Sequence, residues 1–160
     1  MRLSLHAVGR LKPGPEKELA GEYAARAEAL LRQAGFKSLS LVEHAESQAA
    51  TPAQRKAEEA QKLLARIPSE AFVVALDERG RELGSPDFAK LLGDKRDQGL
   101  PELAFVIGGP DGHGEALLAR AGLTLAFGRL TWPHRLMRIL LAEQLYRGLT
   151  ILLNHPYHRA

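Results

Sequence analysis

The sequence predicts an α/β fold with a mostly parallel sheet flanked by helices. Two continuous apolar runs, residues 71–76 and Glu102–Ile107, have the length of strands that are covered on both faces. Strand-like segments alternate with helix-like segments, and two helices are expected to begin beside a proline, Pro52 and Pro86, because proline favours the first helical turn. This alternation is typical of parallel strands joined by crossover helices.

The individual elements follow from periodicity and from turn residues. Strands are predicted at residues 3–8, 39–42, 71–76, 102–107 and 123–126. Helices are predicted at residues 16–34, 52 to about 67, 85 to about 99, 115–121 and about 133–152. Gly35 is the expected C-terminal cap of the first helix, and Thr51 with Gln54 forms the pattern of a capping box before the second. We expect one domain, residues 1–160, because a chain of this length supports one core.

Composition limits the classes of function. The chain has no cysteine, which excludes disulfides, thiolate metal sites and a cysteine nucleophile. The net charge of +3 is compatible with a polyanionic partner but does not require one. The first residues alternate like a strand, and no apolar run has membrane-spanning length. We therefore expect a cytoplasmic protein that does not enter a membrane.

The last predicted helix is apolar around nearly its whole circumference. One sheet cannot cover such a helix on every side, and a second copy of the chain would bury the rest. We therefore expect a homodimer built largely on this helix. Its apolar residues, with the one that follows the helix, are Leu136, Met137, Ile139, Leu140, Leu141, Leu145, Tyr146, Leu149, Ile151, Leu152 and Leu153.

Three loops that contain glycine follow the third, fourth and fifth strands, at residues 77–84, 108–114 and 127–134. In a parallel sheet these loops lie at one edge, where open α/β sheets bind ligands. None of them matches the dinucleotide or P-loop fingerprint. A glycine-rich turn is also an ordinary connection between a strand and a helix, so this alternative stays open for residues 108–114.

The C-terminal tail carries His155, Tyr157, His158 and Arg159 directly after the apolar helix. This combination of polar, protonatable and cationic groups predicts a functional site, although a passive terminus is the alternative. Two histidines without cysteine are too few ligands for a zinc site, and we predict no metal.

Other polar residues have less specific interpretations. His134 either caps the last helix or lines a pocket, and Glu143 with Arg147 has the spacing of an ion pair that fixes packing. Three further histidines are interpreted as scattered structural or surface residues: His6, His44 and His113.

Several segments together resemble one known family, the ribosomal large-subunit pseudouridine methyltransferase H family. The resemblance spans the chain and is most specific in the second half. It implies a SPOUT-type methyltransferase fold, in which the C-terminal part passes through a loop to form a trefoil knot. The segments are residues 7–9 (AVG), 22–26 (EYAAR), 76–80 (LDERG), 107–112 (IGGPDG), 131–134 (TWPH), 143–147 (EQLYR) and 156–159 (PYHR).

The resemblance implies S-adenosylmethionine as methyl donor, with no metal, and a homodimer that acts on the ribosome. The implied reaction is methylation at N3 of pseudouridine 1915 of 23S rRNA. Trp132 departs from the aliphatic residue that is more usual at its position. The residues that would bind the donor are Leu76, Gly108, Gly109, Gly128, Arg129, Leu130, Thr131, Trp132 and Pro133.

The chemistry of that reaction assigns candidate roles to the tail. Pseudouridine N3 must lose a proton before it attacks, so a base or a cation that favours the anion assists. Arg159 and His158 are predicted to grip RNA or to stabilise the anion, Tyr157 to stack on or hydrogen-bond to the base, and His155 is the remaining candidate. Three arginines are predicted to contact phosphates: Arg129, Arg135 and Arg138.

Two other functions remain open at this point. One is a non-catalytic dimeric module that binds RNA or the ribosome. The other is a SPOUT methyltransferase that acts on tRNA.

Overall fold

The computed structural model describes residues 1–159 as a five-stranded sheet with helices on both faces. The strands are β1 (Arg2–Val8), β2 (Leu39–His44), β3 (Phe72–Glu82), β4 (Glu102–Ile107) and β5 (Leu123–Ala126). Their order in the sheet is β2-β1-β4-β3-β5, and every neighbouring pair is parallel. The α/β fold predicted from the sequence is confirmed. The trefoil knot and the single-domain organisation stay predictions.

Five helices connect or follow these strands, and the capping box predicted for the second one is present. Thr51 Oγ1 accepts the Gln54 backbone N–H, and Gln54 Oε1 accepts the Thr51 N–H. Gly35 has φ +83°, and the next residue, Phe36, donates its N–H to Leu31 O at 2.8 Å. None of the helices within residues 1–159 is both long and apolar enough to span a bilayer. The helices are α1 (Pro15–Leu31), α2 (Pro52–Leu64), α3 (Ser85–Asp97), α4 (Glu115–Arg120) and α5 (His134–Leu152).

The sheet separates two apolar clusters. On one face α1, α3 and α5 pack on side chains such as Leu5, Leu103 and Phe105. On the other face α2 and α4 pack on Val73 and Val106. The two central strands are buried on both faces, which explains why their sequences read as continuous apolar runs.

Several boundaries differ from the sequence prediction. Helix α1 ends at Leu31 instead of Ala34, and strand β2 continues to His44 instead of ending at Val42. Helix α2 ends at Leu64, and Ile67, which the prediction placed inside it, reaches the core from the following turn. Strand β3 continues to Glu82 instead of ending at Leu76, so residues 77–82 are not a simple loop. Leu76 and Arg81 both pair with Leu125 on β5, and the residues between them bulge out. Hydrophobicity did not reveal this extension because its side chains are largely exposed.

Helix α5 buries one side against α1 and α3, with Leu141, Leu145 and Leu149 fully inside. Its opposite side is only half covered, and Leu136 is 38% exposed. The homodimer stays a prediction that this open side supports.

The prediction that Arg138 contacts phosphates is wrong. Its guanidinium is buried, and it binds Glu43 Oε2 at 2.6 Å, Gly9 O at 2.6 Å and Val8 O at 3.1 Å. These contacts tie the core-facing side of α5 to the end of β1. Arg138 is therefore a structural residue, and only Arg129 and Arg135 remain exposed.

Candidate active site

One cavity of about 540 Å³ lies at the carboxyl ends of β3, β4 and β5. Its wall consists of residues 76–79, 107–113 and 125–134 apart from residue 129, together with Met137 of α5. The three glycine-bearing loops that the sequence singled out thus surround a single space. A cavity of this size is in the range that binds a small molecule or a cofactor.

Eight of the nine residues proposed to bind the donor line this cavity. Arg129 is the exception, since it is exposed and lies outside the wall. His134 also lines the cavity and makes no side-chain cap on α5, which decides between its two sequence interpretations. The eight residues are Leu76, Gly108, Gly109, Gly128, Leu130, Thr131, Trp132 and Pro133.

The loop at 108–114 is held in place by α2. Arg55 binds both carboxylate oxygens of Asp111, with Nε–Oδ2 at 2.6 Å and Nη2–Oδ1 at 3.2 Å. Glu59 lies buried beneath Gly109, where a Cβ would approach Glu59 Oε2 to 3.0 Å. Glycine at this position therefore allows the loop to pack directly on the buried carboxylate.

His113 connects this loop to the strand beside it. Its Nε2 lies 2.9 Å from the carbonyl oxygen of Leu76, which is a donor geometry, and its Nδ1 has no hydrogen-bond partner. Burial lowers the pKa of His113 below its ordinary value, although the Leu76 carbonyl and Asp77 oppose that effect. The ring is therefore neutral near pH 7 and fixes the position of the Leu76 carbonyl.

The three histidines are buried structural residues, which was one of the two interpretations, but they are not scattered. His113 is 7% exposed and belongs to the cavity wall. His6 and His44 are buried together on β1 and β2, with His6 Nδ1 3.1 Å from His44 Nε2. Sequence spacing did not show these contacts because the two strands are joined only through α1.

Acidic groups occupy the side of the cavity formed by β3. Burial raises the pKa of Asp77, but hydrogen bonds from the backbone and guanidinium of Arg79 outweigh it and hold the pKa below its usual value. Glu78 Oε2 accepts the Thr131 hydroxyl at 2.6 Å and so joins two of the three loops. The cavity therefore offers a fixed negative charge to a cationic ligand.

The tail folds back against the middle of α5. The Tyr157 hydroxyl donates to Glu143 Oε1 at 3.0 Å, and the Arg147 guanidinium lies 4.8 Å from the centre of the Tyr157 ring. The Tyr146 ring is 4.6 Å away, centre to centre. Burial and the Glu143 carboxylate raise the pKa of Tyr157 to about 12, so the phenol keeps its proton. The predicted Glu143–Arg147 ion pair is confirmed and orients this ring.

The remaining tail residues are more open. His158 Nδ1 lies 3.4 Å from Arg147 Nη1, His155 Nδ1 accepts the Tyr157 backbone N–H at 3.2 Å, and Arg159 is exposed. None of the four candidates lines the cavity of its own chain. The cavity touches α5 at Met137. The tail contacts α5 between Glu143 and Arg147, about 9–15 Å further along the helix at 1.5 Å per residue.

Comparison with known proteins identifies the family. The model described as "Predicted SPOUT methyltransferase" matches residues 1–158. A protein of Rhizobium meliloti (strain 1021) named "Ribosomal RNA large subunit methyltransferase H" is 52% identical over 160 residues, which is the full length of both chains. A protein of the same name from Rhodopseudomonas palustris (strain ATCC BAA-98 / CGA009) is 51% identical over the same span. The chain belongs to the ribosomal RNA large subunit methyltransferase H family.

Membership in this SPOUT methyltransferase family makes the chain a methyltransferase. Among solved structures, the chain is similar to the SpoU methyltransferase AviRb from Streptomyces viridochromogenes, described in complex with the cofactor AdoMet. That similarity has a TM-score of 0.43 and 13% identity, and it covers 97% of this chain and 58% of AviRb.

The methyltransferase contains site residues that sequence reasoning missed. Arg55 and Glu59 support the cavity from α2, 49 or more residues before the loop that they hold. From the sequence, α2 was predicted only as a helix that begins with a capping box. The sequence feature that could have indicated this role is a charged residue, Glu59, on the side of α2 that faces the sheet.

Proposed function

We propose that this protein transfers a methyl group from S-adenosylmethionine to N3 of a pseudouridine in 23S rRNA. We further propose that it works as a homodimer on the ribosome, in the cytoplasm. The observation that carries the proposal is the convergence of three glycine-bearing loops on one cavity, in a chain that belongs to this methyltransferase family.

The cavity fits the proposed donor. S-adenosylmethionine is a small molecule with a sulfonium and an ammonium group, and Asp77 supplies a matching negative charge in the wall. The residues that would hold it are Leu76 on β3 and, from the two following loops, Gly109 and Leu130. When bound, the donor supplies a methyl group on a positively charged sulfur. The chain's own contribution is to position the acceptor nitrogen against that methyl group.

The tail residues differ in what they can contribute to this reaction. Tyr157 is not the base, because its pKa is raised and its proton is committed to Glu143. Its role is to anchor the tail and to present a ring edge to the acceptor base. His158 places its Nδ1 beside the Arg147 guanidinium, and Arg159 is exposed and can meet RNA or the N3 anion.

The separation of tail and cavity supports a homodimer. Within one chain the tail contacts the middle of α5 and does not line the cavity, which meets the start of that helix. The tail of a second copy would therefore have to reach the cavity if both act on one nucleotide. The half-covered side of α5 offers apolar surface for such a pairing. In a twofold dimer the same surface is used by both copies, and each tail can approach the other cavity.

Two measurements test the reaction. Calorimetry with S-adenosylmethionine measures donor binding, and labelled-methyl transfer to ribosomes, free subunits and tRNA identifies the acceptor. We expect donor binding and label in 23S rRNA. If the wild type does not bind the donor, the protein is a non-catalytic RNA-binding module. If the label appears only in tRNA, the substrate is tRNA and not 23S rRNA.

Mixed dimers test the contribution of the second copy. Asp77→Lys removes the negative charge of the cavity, and Arg159→Ala removes the tail cation. If the tail acts across the dimer, each variant is inactive alone, whereas mixed dimers regain part of the activity because one site has both an intact cavity and an intact tail. Mixed dimers that stay inactive would contradict this arrangement, and light scattering on the same samples reports the oligomeric state.

A further inference from the structure

We propose that the side chain of Trp132 is a stacking platform for an unpaired RNA base beside the target nucleotide, with Arg129 and Arg135 binding the flanking phosphates. This inference rests on the proposed function. It gives Trp132 a role in the choice of substrate, whereas the family resemblance assigned it only to the donor.

Trp132 is held at the rim of the cavity. It belongs to the cavity wall, yet 39% of it is exposed. Its indole Nε1–H donates to the carbonyl of Phe127 at 3.0 Å, a bond that closes the loop on itself. The ring is therefore presented to solvent in a fixed orientation, which lowers the entropic cost of stacking a ligand on it.

The surroundings of the indole are exposed and apolar. Residues 129–133 form a continuous exposed run, and Leu130 within it is 71% exposed. Large apolar side chains gathered at the mouth of a cavity mark a binding surface more often than an accident of packing. An unstacked base, with two apolar faces, is a ligand of matching chemistry.

Charge distinguishes RNA from other occupants of this surface. Arg129 and Arg135 flank the indole in sequence, both are exposed, and neither has a carboxylate partner among residues 1–159. Burying two such guanidinium groups under a second copy of the chain would remove their water without providing counter-charges. Phosphates provide those charges, so we assign the surface to single-stranded RNA.

The chain contains one tryptophan, which gives the test a direct signal. The intrinsic fluorescence is measured while an RNA hairpin with the target sequence in its loop is titrated into protein saturated with S-adenosylhomocysteine. We expect the fluorescence of Trp132 to be quenched by the hairpin and not by a fully paired RNA duplex of equal charge. Fluorescence that responds to neither RNA would overturn the inference.

Variants separate stacking from other effects. We expect Trp132→Leu to weaken hairpin binding by roughly five- to a hundred-fold, the range for loss of one stacked base, and Trp132→Phe to retain most of it. Arg129→Gln is expected to reduce the salt dependence of binding. Its matched control is Arg32→Gln, an exposed arginine at the end of α1, at the opposite edge of the sheet.

The other outcomes are also decisive. If Trp132→Leu and Trp132→Phe bind the hairpin equally well, or if Trp132→Leu turns dimers into monomers in light scattering, the indole is not an RNA platform. Failure of the wild type to methylate ribosomes would instead remove the proposed function, and this inference with it. If the wild type methylates ribosomes but the fluorescence of Trp132 does not respond to the hairpin, the inference about Trp132 is wrong and the proposed function stands.

Discussion

Arg55 and Asp111 form a two-point ion pair that joins α2 to the loop of the cavity, although they lie 56 positions apart in the sequence. The same guanidinium donates to Ala49 O at 3.1 Å, so it ties three segments together. The hydrogen bonds from Arg55 hold the pKa of Asp111 below its usual range. The pair thus orders the loop before a ligand arrives.

Loss of this ion pair should weaken donor binding. In Arg55→Gln we expect the Kd for S-adenosylmethionine to rise roughly two- to tenfold, because the loop loses the pair of charged hydrogen bonds that orders it. Calorimetry measures the change, and the exchanged pair Arg55→Asp with Asp111→Arg should recover part of it. Arg26→Gln, which breaks a surface pair with Glu22, is the control. Equal Kd values for the two variants would show that the loop is ordered without Arg55.

Gly80 should not tolerate a side chain. A Cβ at this position would lie 2.7 Å from backbone atoms of Leu125 and Thr124, where β3 and β5 approach each other. We expect Gly80→Ala to lower the free energy of unfolding by about 1–3 kcal/mol, the usual range for overpacking. Gly21→Ala is the control, because nothing lies within 4 Å and alanine favours its helix. Urea denaturation measures both, and equal midpoints would contradict the close approach.

The buried pair His6 and His44 should make stability depend on pH. Burial and the neighbouring ring lower the pKa of His6 from 6.5 to about 4, and burial also lowers that of His44. The unfolded chain therefore binds more protons between these values, so stability is complete above pH 6.5 and declines as the pH falls towards 4. For His6 alone the loss approaches about 3 kcal/mol.

Denaturation at pH 8, 6, 5 and 4 measures this dependence. In His6→Gln the decline should be clearly smaller than in the wild type. Gly21→Ala, which changes an open helical position and adds no titratable group, should leave the decline unchanged. A wild-type free energy of unfolding that is flat across this range would contradict the buried neutral pair.

Tyr157 should act through its ring and its anchor rather than as a base. Tyr157→Phe removes the hydroxyl that binds Glu143 but keeps the contacts with Arg147 and Tyr146. We expect a roughly ten- to hundredfold loss of methyl transfer and an unchanged pH profile, since a hydrogen bond to a charged group contributes about 1.5–3 kcal/mol. Tyr157→Ala should lose far more. A changed pH profile in Tyr157→Phe would return the phenol to the list of proton acceptors.

Much of the fold could be predicted from the sequence because hydrophobic patterns and capping residues act over a few neighbouring positions. The bounds of β4 and β5 agree with the prediction, since a fully buried strand is apolar at every position and glycine or a polar turn ends it. The capping residues Thr51 and Gly35 were found for the same reason, because they contact backbone only a few residues away. The extension of β3 beyond Leu76 was missed because its pairing with β5 leaves no hydrophobic pattern.

In the candidate site, too, local features could be predicted from the sequence and contacts between distant segments could not. Strand ends and glycines in the sequence were sufficient to place three loops around one cavity, since parallel strands bring their carboxyl ends to a common edge. Arg138 illustrates the limit, because an arginine on an apolar helix reads as a surface cation until its acceptors Val8 O and Gly9 O are seen. The hydrogen-bond acceptors of Arg138 belong to another element of the fold, and only the packing of the helix on the sheet brings them close to it.

By itself the sequence determined the order of strands and helices, the edge that holds the cavity and the resemblance to a methyltransferase family. Tertiary structure alone decided that Arg55 and Glu59 support the cavity, that His6 meets His44, and that the tail lies away from the cavity of its own chain. The physical reason is that hydrophobic periodicity and capping act over a few residues, whereas ion pairs and buried contacts form between segments that only the packed sheet brings together.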